Sequence, residues 1–314
     1  MGNIAIAIHG GAGTLMNGVV SPEREKAYHE KLSEALMAGY NILSQGGTSV
    51  DAVEAAVRVL EDCPLFNAGK GSVFNSDGVN EMDAAIMNGK TLKAGAVAEV
   101  HTVRNPITAA KAVMEHSKHV LLASHGAEKF AKERGLEIVD PKYFYDEERY
   151  QQWIATKDTD INAWAGDAMP VPDGKSEKKF GTVGAVAIDN QGNLAAATST
   201  GGINNKKFGR IGDCPIIGAG TYANNKTCAV SCTGEGEFFI RNVVAYDISA
   251  LMEYKNLTLA QATTEVVKKV AQLGGEGGLV AIDNQGNISA PFNTASMFRG
   301  WIDSKGDKYT GIFR

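Results

Sequence analysis

Apolar residues fall at spacings of three and four from Val50 through Val53 and Val57 to Leu60, which is one face of a helix. Thr48-Ser49 stands just before that run and supplies its start. Upstream, Ser21-Pro22 pairs an N-cap hydroxyl with a proline at the first helical position, and Gly46-Gly47 offers the stop. Asn105-Pro106 opens a further helix, and Thr258 followed by Gln261 is the capping-box pattern of a late one. Strands read differently: they are short, rich in Ala and Val, and bounded by turn residues. The N-terminus, Met1-Gly2-Asn3-Ile4-Ala5-Ile6-Ala7-Ile8-His9, reads as a buried first strand. Ala187-Ile188-Asp189-Asn190-Gln191-Gly192-Asn193 recurs letter for letter at 281–287, each copy flanked by apolar segments, so two hairpins with Asn/Gly-rich turns are expected. Flanking helices with hairpins between them predict a layered α/β protein.

Residues 156–179 break the pattern. The segment is polar, contains Gly166, Pro170, Pro172 and Gly174, and ends in Lys175-Ser176-Glu177-Lys178-Lys179. It is expected to be an exposed, mobile linker and a good site for a nick. Directly after it, Phe180-Gly181-Thr182-Val183-Gly184-Ala185-Val186-Ala187 begins a buried strand, so the border between linker and core lies at Gly181-Thr182.

A length of 314 residues allows one large domain or two smaller ones. The formal charge of −5, from 31 basic and 36 acidic side chains with no basic stripe, argues against nucleic acid and anionic membranes as partners. The N-terminal apolar run is too short for a signal peptide and lacks a basic start, and no apolar run could span a bilayer. A cytoplasmic protein is expected. Cys63, Cys214, Cys228 and Cys232 show no C-x-x-C pairing or zinc-ligand spacing and read as reduced structural thiols. Asn88-Gly89-Lys90-Thr91 resembles the end of a phosphate-binding loop, but Ala84 stands where its first glycine belongs. His9-Gly10-Gly11 is similar to an esterase oxyanion motif, yet no G-x-S-x-G elbow accompanies it. No G-x-G-x-x-G follows a strand, and the six histidines are scattered.

Gly181-Thr182 carries the sharpest chemistry. A threonine hydroxyl needs a base to act as a nucleophile, and an N-terminal threonine brings one in its own α-amine. That amine titrates near about 7.7–8.0, so a useful neutral fraction exists at physiological pH. Gly181 has no Cβ to shield its carbonyl and can adopt strained angles. An intramolecular N→O acyl shift needs both features, although a plain Gly-Thr entry to a strand would show them too.

The wider context resolves this. Gly181-Thr182-Val183-Gly184-Ala185-Val186-Ala187 with Ala197-Thr198-Ser199-Thr200-Gly201-Gly202 resembles the nucleophile region of the plant-type asparaginases, also called isoaspartyl peptidases, which are N-terminal-nucleophile hydrolases. His9-Gly10-Gly11-Ala12-Gly13 is similar to their first strand and loop, and Cys63-Pro64-Leu65-Phe66-Asn67-Ala68-Gly69-Lys70-Gly71 to their metal loop. Gly209-Arg210-Ile211-Gly212-Asp213 and Ser231-Cys232-Thr233-Gly234-Glu235-Gly236-Glu237 resemble their substrate-binding segments.

The resemblance implies a four-layer αββα sandwich forming a single domain over 1–314. Self-cleavage between Gly181 and Thr182 would give an α-subunit, 1–181, with the linker at its end, and a β-subunit, 182–314. The reaction implied is hydrolysis of β-aspartyl dipeptides and deamidation of L-asparagine through a β-aspartyl-enzyme. Thr182 would be nucleophile and base, and Thr200 would orient it. Arg210 would hold the substrate α-carboxylate and Asp213 the α-ammonium. Thr233 and Gly234 would form the oxyanion hole, Gly236 would offer a backbone carbonyl to substrate, and Asn67 would lie at the site edge. An alkali cation, sodium being expected, would be held by backbone carbonyls of Leu60, Glu61, Cys63, Phe66, Ala68 and Lys70. The assembly implied is a dimer of αβ heterodimers, and no cofactor is implied for catalysis. Two alternatives remain at this point: a glycosylasparaginase, and a non-processing relative that only binds amino acids.

Overall fold

The computed structural model describes residues 3–13, 15, 16, 18, 20–158 and 181–314. In chain order the first half runs β1 (Ala5–Gly13), α1 (Pro22–Ser44), α2 (Ser49–Glu61), β2 (Met82–Asn88), β3 (Ala94–Val100), α3 (Pro106–His116), β4 (Leu121–Ala123), α4 (Ser124–Glu133) and α5 (Glu147–Ile154). The second half runs β5 (Thr182–Ile188), β6 (Leu194–Thr200), β7 (Thr221–Ala223), β8 (Cys228–Gly234), α6 (Gly236–Asn242), α7 (Val244–Lys255), α8 (Leu259–Gln272), β9 (Gly277–Asp283), β10 (Ile288–Ser289), β11 (Ser296–Ile302) and β12 (Lys308–Phe313).

Helix starts follow their capping chemistry. Ser21 Oγ accepts from the Arg24 N–H at 3.3 Å, Thr48 Oγ1 from the Asp51 N–H at 3.1 Å, and Thr258 and Gln261 close a reciprocal capping box. α3 solves the problem differently. Asn105 makes no cap bond, and the Ile107 N–H is taken by the carboxyl of Glu61 at 2.9 Å, a group that burial pushes up to about 8.

The strands form two sheets. One has the order β12-β11-β1-β5-β6-β2-β3-β4 and the other β10-β9-β8-β7. The β3–β4 pair is parallel and the remaining ladders are antiparallel. On one face of the larger sheet, Ile6, Ile8, Ile86 and Val183 pack with Leu32 and Leu36 of α1 and Val53 and Val57 of α2. On its other face, Ala5, Ala7, Val186 and Ala196 meet Ala229, Val280 and Ile282 of the smaller sheet. The far side of the smaller sheet buries Val230 and Leu279 against Ile248 and Val266 of α7 and α8. The chain is therefore a mixed α/β protein. Burial on both faces is why β5, the first half of β1 and residues 194–197 of β6 carry almost no polar residues. Alanine is a weak strand former on a scale spanning only about 1 kcal/mol, whereas each buried Ile, Leu or Val side chain contributes about 1.5–3 kcal/mol. Burial decides the sheet.

The echoed heptapeptides make the same turn twice. Asp189 Oδ1 accepts from the N–H of Gln191 and Asn193 at 3.0 and 2.9 Å, and Asp283 Oδ1 from those of Gln285 and Asn287, both at 2.9 Å. Asn88-Gly89-Lys90-Thr91 is the turn between β2 and β3, where Asn88 Oδ1 accepts from Lys90 N–H and Thr91 N–H. All four cysteines are buried free thiols. No helix among the described residues is long and apolar enough to cross a membrane.

The linker expected over 156–179 lies outside the described residues from 159 onward. Its first residue corrects the expectation. Thr156 is buried, its Oγ1 accepting from Asn204 Nδ2 at 2.8 Å and its carbonyl from Asn205 Nδ2 at 3.1 Å. Local composition shows polarity here, but these partners lie 48 and 49 residues away.

Candidate active site

Thr182 opens β5 and Thr200 closes β6, and the antiparallel register sets them directly opposite each other. The Thr182 hydroxyl donates to Thr200 Oγ1 at 3.2 Å. The Thr200 hydroxyl donates in turn to the Gly181 carbonyl at 3.1 Å, while its oxygen accepts from the Gly202 N–H at 3.0 Å. A hydroxyl, its acceptor and the carbonyl that precedes the hydroxyl's own residue thus form one loop of hydrogen bonds. Thr182 is buried but not sealed, at 8% exposure.

Asn67 holds the edge of this arrangement. Its Nδ2 donates to Gly202 O at 2.7 Å, its Oδ1 accepts from Val73 N–H at 3.0 Å, and its carbonyl accepts from Gly201 N–H at 3.1 Å. A Cβ on Gly181 would collide with Asn67 Cβ, so only glycine fits before Thr182.

The second sheet brings the remaining residues in. Thr233 lies near the end of β8, fully buried, and its Oγ1 accepts from the Ala12 N–H of β1 at 3.2 Å. That leaves its O–H free to donate elsewhere. Gly234 follows at φ +151°, where a Cβ would collide with Glu276 O. Gly236 begins α6 and touches both candidate clamp residues: a Cβ there would lie 2.8 Å from Arg210 Nη2 and 3.0 Å from Asp213 Oδ1. Thr182, Thr200, Asn67 and Gly181 therefore form one group, and Arg210, Asp213 and Gly236 another.

Arg210 already has a partner that sequence reading missed. Its Nε and Nη2 donate to the two carboxylate oxygens of Glu237 at 2.9 and 2.8 Å, a bidentate pair. Burial alone would raise Glu237, but the bonds and charge of Arg210 outweigh it and hold Glu237 below the usual carboxylate range. Glu237 was visible as the last residue of the Thr233–Glu237 motif, yet nothing local pairs it with a residue 27 positions away.

Asp213 is the opposite case. It is buried, its Oδ2 has no hydrogen-bond partner, and burial pushes it up to about 6 despite the nearby Arg210 charge. Burial also raises Asp83, the β2 residue paired in register with Thr200, against the pull of Lys206. A buried carboxylate left without its full complement of donors favours a cation that brings N–H groups.

The expected cation ligands lie in the last turn of α2, at Leu60 and Glu61, and in the loop after it. Gly69 sits at φ +52°, and a Cβ on it would collide with Glu61 O. A Cβ on Gly71 would collide with Phe66 O and lie 2.7 Å from Pro64 O. Several carbonyls thus crowd one glycine-lined turn. The Glu61 carboxyl points elsewhere, accepting from Ser199 Oγ at 2.6 Å and from the N–H of Ile107.

A family model described as Asparaginase matches residues 2–312. The chain is similar to an isoaspartyl peptidase of Escherichia coli (strain K12), 51% identical over 315 residues that cover 100% of this chain and 97% of that protein. It is similar to a plant-type L-asparaginase of Pyrococcus abyssi, 44% identical over 302 residues and 94% of each chain. A probable isoaspartyl peptidase/L-asparaginase 2 of Arabidopsis thaliana is 42% identical over 321 residues and 98% of each. With a match that runs the length of the chain and relatives that align over nearly all of theirs, this protein belongs to the asparaginase family.

Proposed function

We propose that this protein is a self-processing threonine hydrolase that cleaves β-aspartyl dipeptides and deamidates L-asparagine to L-aspartate and ammonia. The observation that carries this reading is the hydrogen-bonded loop Thr182 O–H, Thr200 O–H, Gly181 carbonyl. The names of the relatives point to the same two activities. Three stacked apolar cores, helix to sheet, sheet to sheet and sheet to helix, support a four-layer αββα sandwich of the N-terminal-nucleophile type.

Processing follows from that loop. Thr182 Oγ attacks the Gly181 carbonyl carbon, its proton passes to Thr200 Oγ1, and the Thr200 proton moves onto the oxygen gaining charge. As the Gly181–Thr182 C–N bond breaks, the proton on that oxygen passes to the leaving Thr182 nitrogen, giving a free α-amine and an ester on Thr182 Oγ. Water hydrolyses that ester, giving an α-subunit, 1–181, and a β-subunit, 182–314, that remain one interwoven fold.

The freed Thr182 amine is then the base for turnover. It takes the hydroxyl proton as Oγ attacks the substrate β-carbonyl, and Thr233 O–H and Gly234 N–H stabilise the tetrahedral oxyanion. Ammonia or an amino acid leaves, and water releases aspartate from the β-aspartyl-Thr182 ester. Arg210 binds the α-carboxylate with the guanidinium face that Glu237 does not occupy. Asp213 Oδ2, without a partner in the free enzyme, accepts from the α-ammonium, and the Gly236 carbonyl supports it. Asparagine and β-aspartyl dipeptides share both groups, so one clamp serves both.

An alkali cation, sodium in this reading, is held by backbone carbonyls of Leu60, Glu61, Cys63, Phe66, Ala68 and Lys70. Neutral oxygen donors suit a hard cation, and a carbonyl already accepting one N–H keeps a second lone pair. Its part is structural: it fixes the loop that carries Asn67 against Gly181. Two αβ heterodimers pair in the assembly.

Initial rates on L-asparagine and β-aspartyl-leucine, measured for wild type and Thr182→Ala, test the reading. Both substrates should be turned over by the first and neither by the second. Turnover of either by a homogeneous Thr182→Ala preparation overturns it.

A further inference from the structure

His9 is the one histidine that burial removes entirely from solvent next to this site. It lies on β1, at 0% exposure, and its ring bridges two strands. Nδ1 is 3.0 Å from the Thr182 carbonyl oxygen, and Nε2 is 2.9 Å from Ser231 Oγ of β8. Burial holds the ring far below the ordinary histidine range, at about 3, so it is neutral and carries one proton.

The carbonyl decides where that proton sits. Thr182 O can only accept, so the 3.0 Å contact requires a hydrogen on Nδ1. Nε2 is then bare and accepts from the Ser231 hydroxyl. Ser231 Oγ, having donated its proton, accepts from Thr198 O–H at 2.7 Å, and Thr198 Oγ1 accepts from Thr221 O–H at 2.6 Å. The Thr198 hydroxyl also lies 3.3 Å from the Gly220 carbonyl and the Thr221 hydroxyl 3.1 Å from the Cys214 carbonyl, so the direction fixed here runs from Ser231 O–H to His9 Nε2 and from His9 Nδ1–H to the Thr182 carbonyl. Gly184 makes room for the junction, since a Cβ there would collide with Ser231 Oγ and lie 2.5 Å from His9 Nε2.

Resting on the Thr182 reading above, we propose that His9 is the positioning residue for the nucleophile, holding the Thr182 carbonyl through Nδ1–H while its bare Nε2 accepts from Ser231. The backbone shows why such a residue is needed. The ladder between β1 and β5 ends at His9–Gly184, two residues short of Thr182. β1 bulges between His9 and Gly11 where it pairs with β11, and Gly11 sits at φ +113°. Past that bulge the Ala12 N–H bonds Thr233 Oγ1. One short piece of β1 therefore ties down both the nucleophile and the candidate oxyanion donor. After cleavage Thr182 is a chain terminus, and termini fray unless tied. The His9 bond holds its carbonyl side while the amine and hydroxyl stay free to react.

Two substitutions separate the roles of the ring. In His9→Asn the amide N–H stands near the Nδ1 position and can still reach the Thr182 carbonyl. In His9→Gln the amide reaches toward Ser231 and leaves that carbonyl without a donor. Because misplacing a reacting group by about 1 Å costs on the order of a hundredfold, His9→Gln should lower kcat and the self-cleavage rate by about ten- to a hundredfold. KM should change by less than about twofold, since Arg210 and Asp213 are untouched. His9→Asn should retain clearly more of both rates. Equal losses in the two variants, or a folded His9→Gln with wild-type kcat, overturn the proposal. Should neither variant accumulate as folded protein, long-range 1H–15N correlation of histidine-labelled wild type decides. A buried ring protonated at Nδ1 and bare at Nε2 is expected, and the reverse tautomer or a doubly protonated ring overturns it. A wild type that neither cleaves itself nor hydrolyses substrate would instead refute the Thr182 reading, whatever the tautomer.

Discussion

Replacing Asp213 with asparagine should make the free protein more stable while disabling its substrate capture. The carboxyl is raised from 3.8 to about 6 by burial, and its Oδ2 has no partner. A rise of about two units corresponds to about 3 kcal/mol. A folded-state pKa above the unfolded one gives stability that is fully present below about 3.8 and is lost as pH rises through about 6. At pH 7 the wild type therefore bears nearly the whole of that penalty, and Asp213→Asn, of the same size and uncharged, escapes up to about 3 kcal/mol of it. Thermal melting without substrate, at one scan rate, should place the variant several degrees above wild type near pH 7.5. The gap should shrink to about a third near pH 4.5 and close only below about pH 3.8, where the carboxyl is protonated in the folded and unfolded states alike. Activity should move the other way. Losing a charge-assisted bond to the substrate ammonium costs about 1.5–3 kcal/mol, about ten- to a hundredfold in kcat/KM. Wild-type KM should likewise rise as pH falls through about 6. A variant that melts at or below wild type near pH 7.5, or a gap independent of pH, would refute the reasoning, because it would mean that Arg210 already offsets the burial of the carboxylate in full.

Arg210→Lys keeps the charge but loses the forked geometry shared with Glu237, so KM should rise at least about tenfold while gel analysis shows self-cleavage intact; normal KM would place the carboxylate clamp elsewhere. Thr200→Val removes the hydroxyl bonded to the Gly181 carbonyl and should slow fragment appearance by about a hundred- to a thousandfold, the scale of a lost oxyanion donor; processing at the wild-type rate would exclude Thr200 from the step. Exchanging sodium for tetramethylammonium at constant ionic strength should lower both melting temperature and turnover, and identical values in the two buffers would contradict a cation in the loop after α2.

Sequence patterns gave the helix starts at Ser21, Thr48 and Thr258 because a cap is a local hydrogen bond, complete within four residues. The two echoed hairpins were legible for the same reason: each Asp closes a turn on its own neighbours. Thr182, Thr200, Arg210 and Asp213 could be picked out only through the family resemblance that their motifs carry together, since each motif alone reads as an ordinary turn or strand entry. Their partners could not. Glu237 meets Arg210 across 27 residues, and Ser231 meets His9 across 222. The capping role at α3 passed from Asn105 to Glu61 because a buried carboxyl from the neighbouring helix α2 reaches the Ile107 N–H, a contact across 46 residues. Thr156 likewise looked like the start of a polar linker, and only Asn204 and Asn205 reveal it as part of the packed fold. What the chain hides is long-range pairing of polar groups, which composition and period do not encode.

The central claim is that the chain cuts itself before Thr182 and uses the residue it exposes. Intact mass spectrometry of freshly purified protein, with N-terminal sequencing of any fragment, tests it most directly. Wild type should yield two fragments, the smaller beginning at Thr182, and Thr182→Ala should remain one chain of full length. A wild type that stays intact while hydrolysing β-aspartyl-leucine, or a Thr182→Ala protein showing the same fragments, would contradict the account.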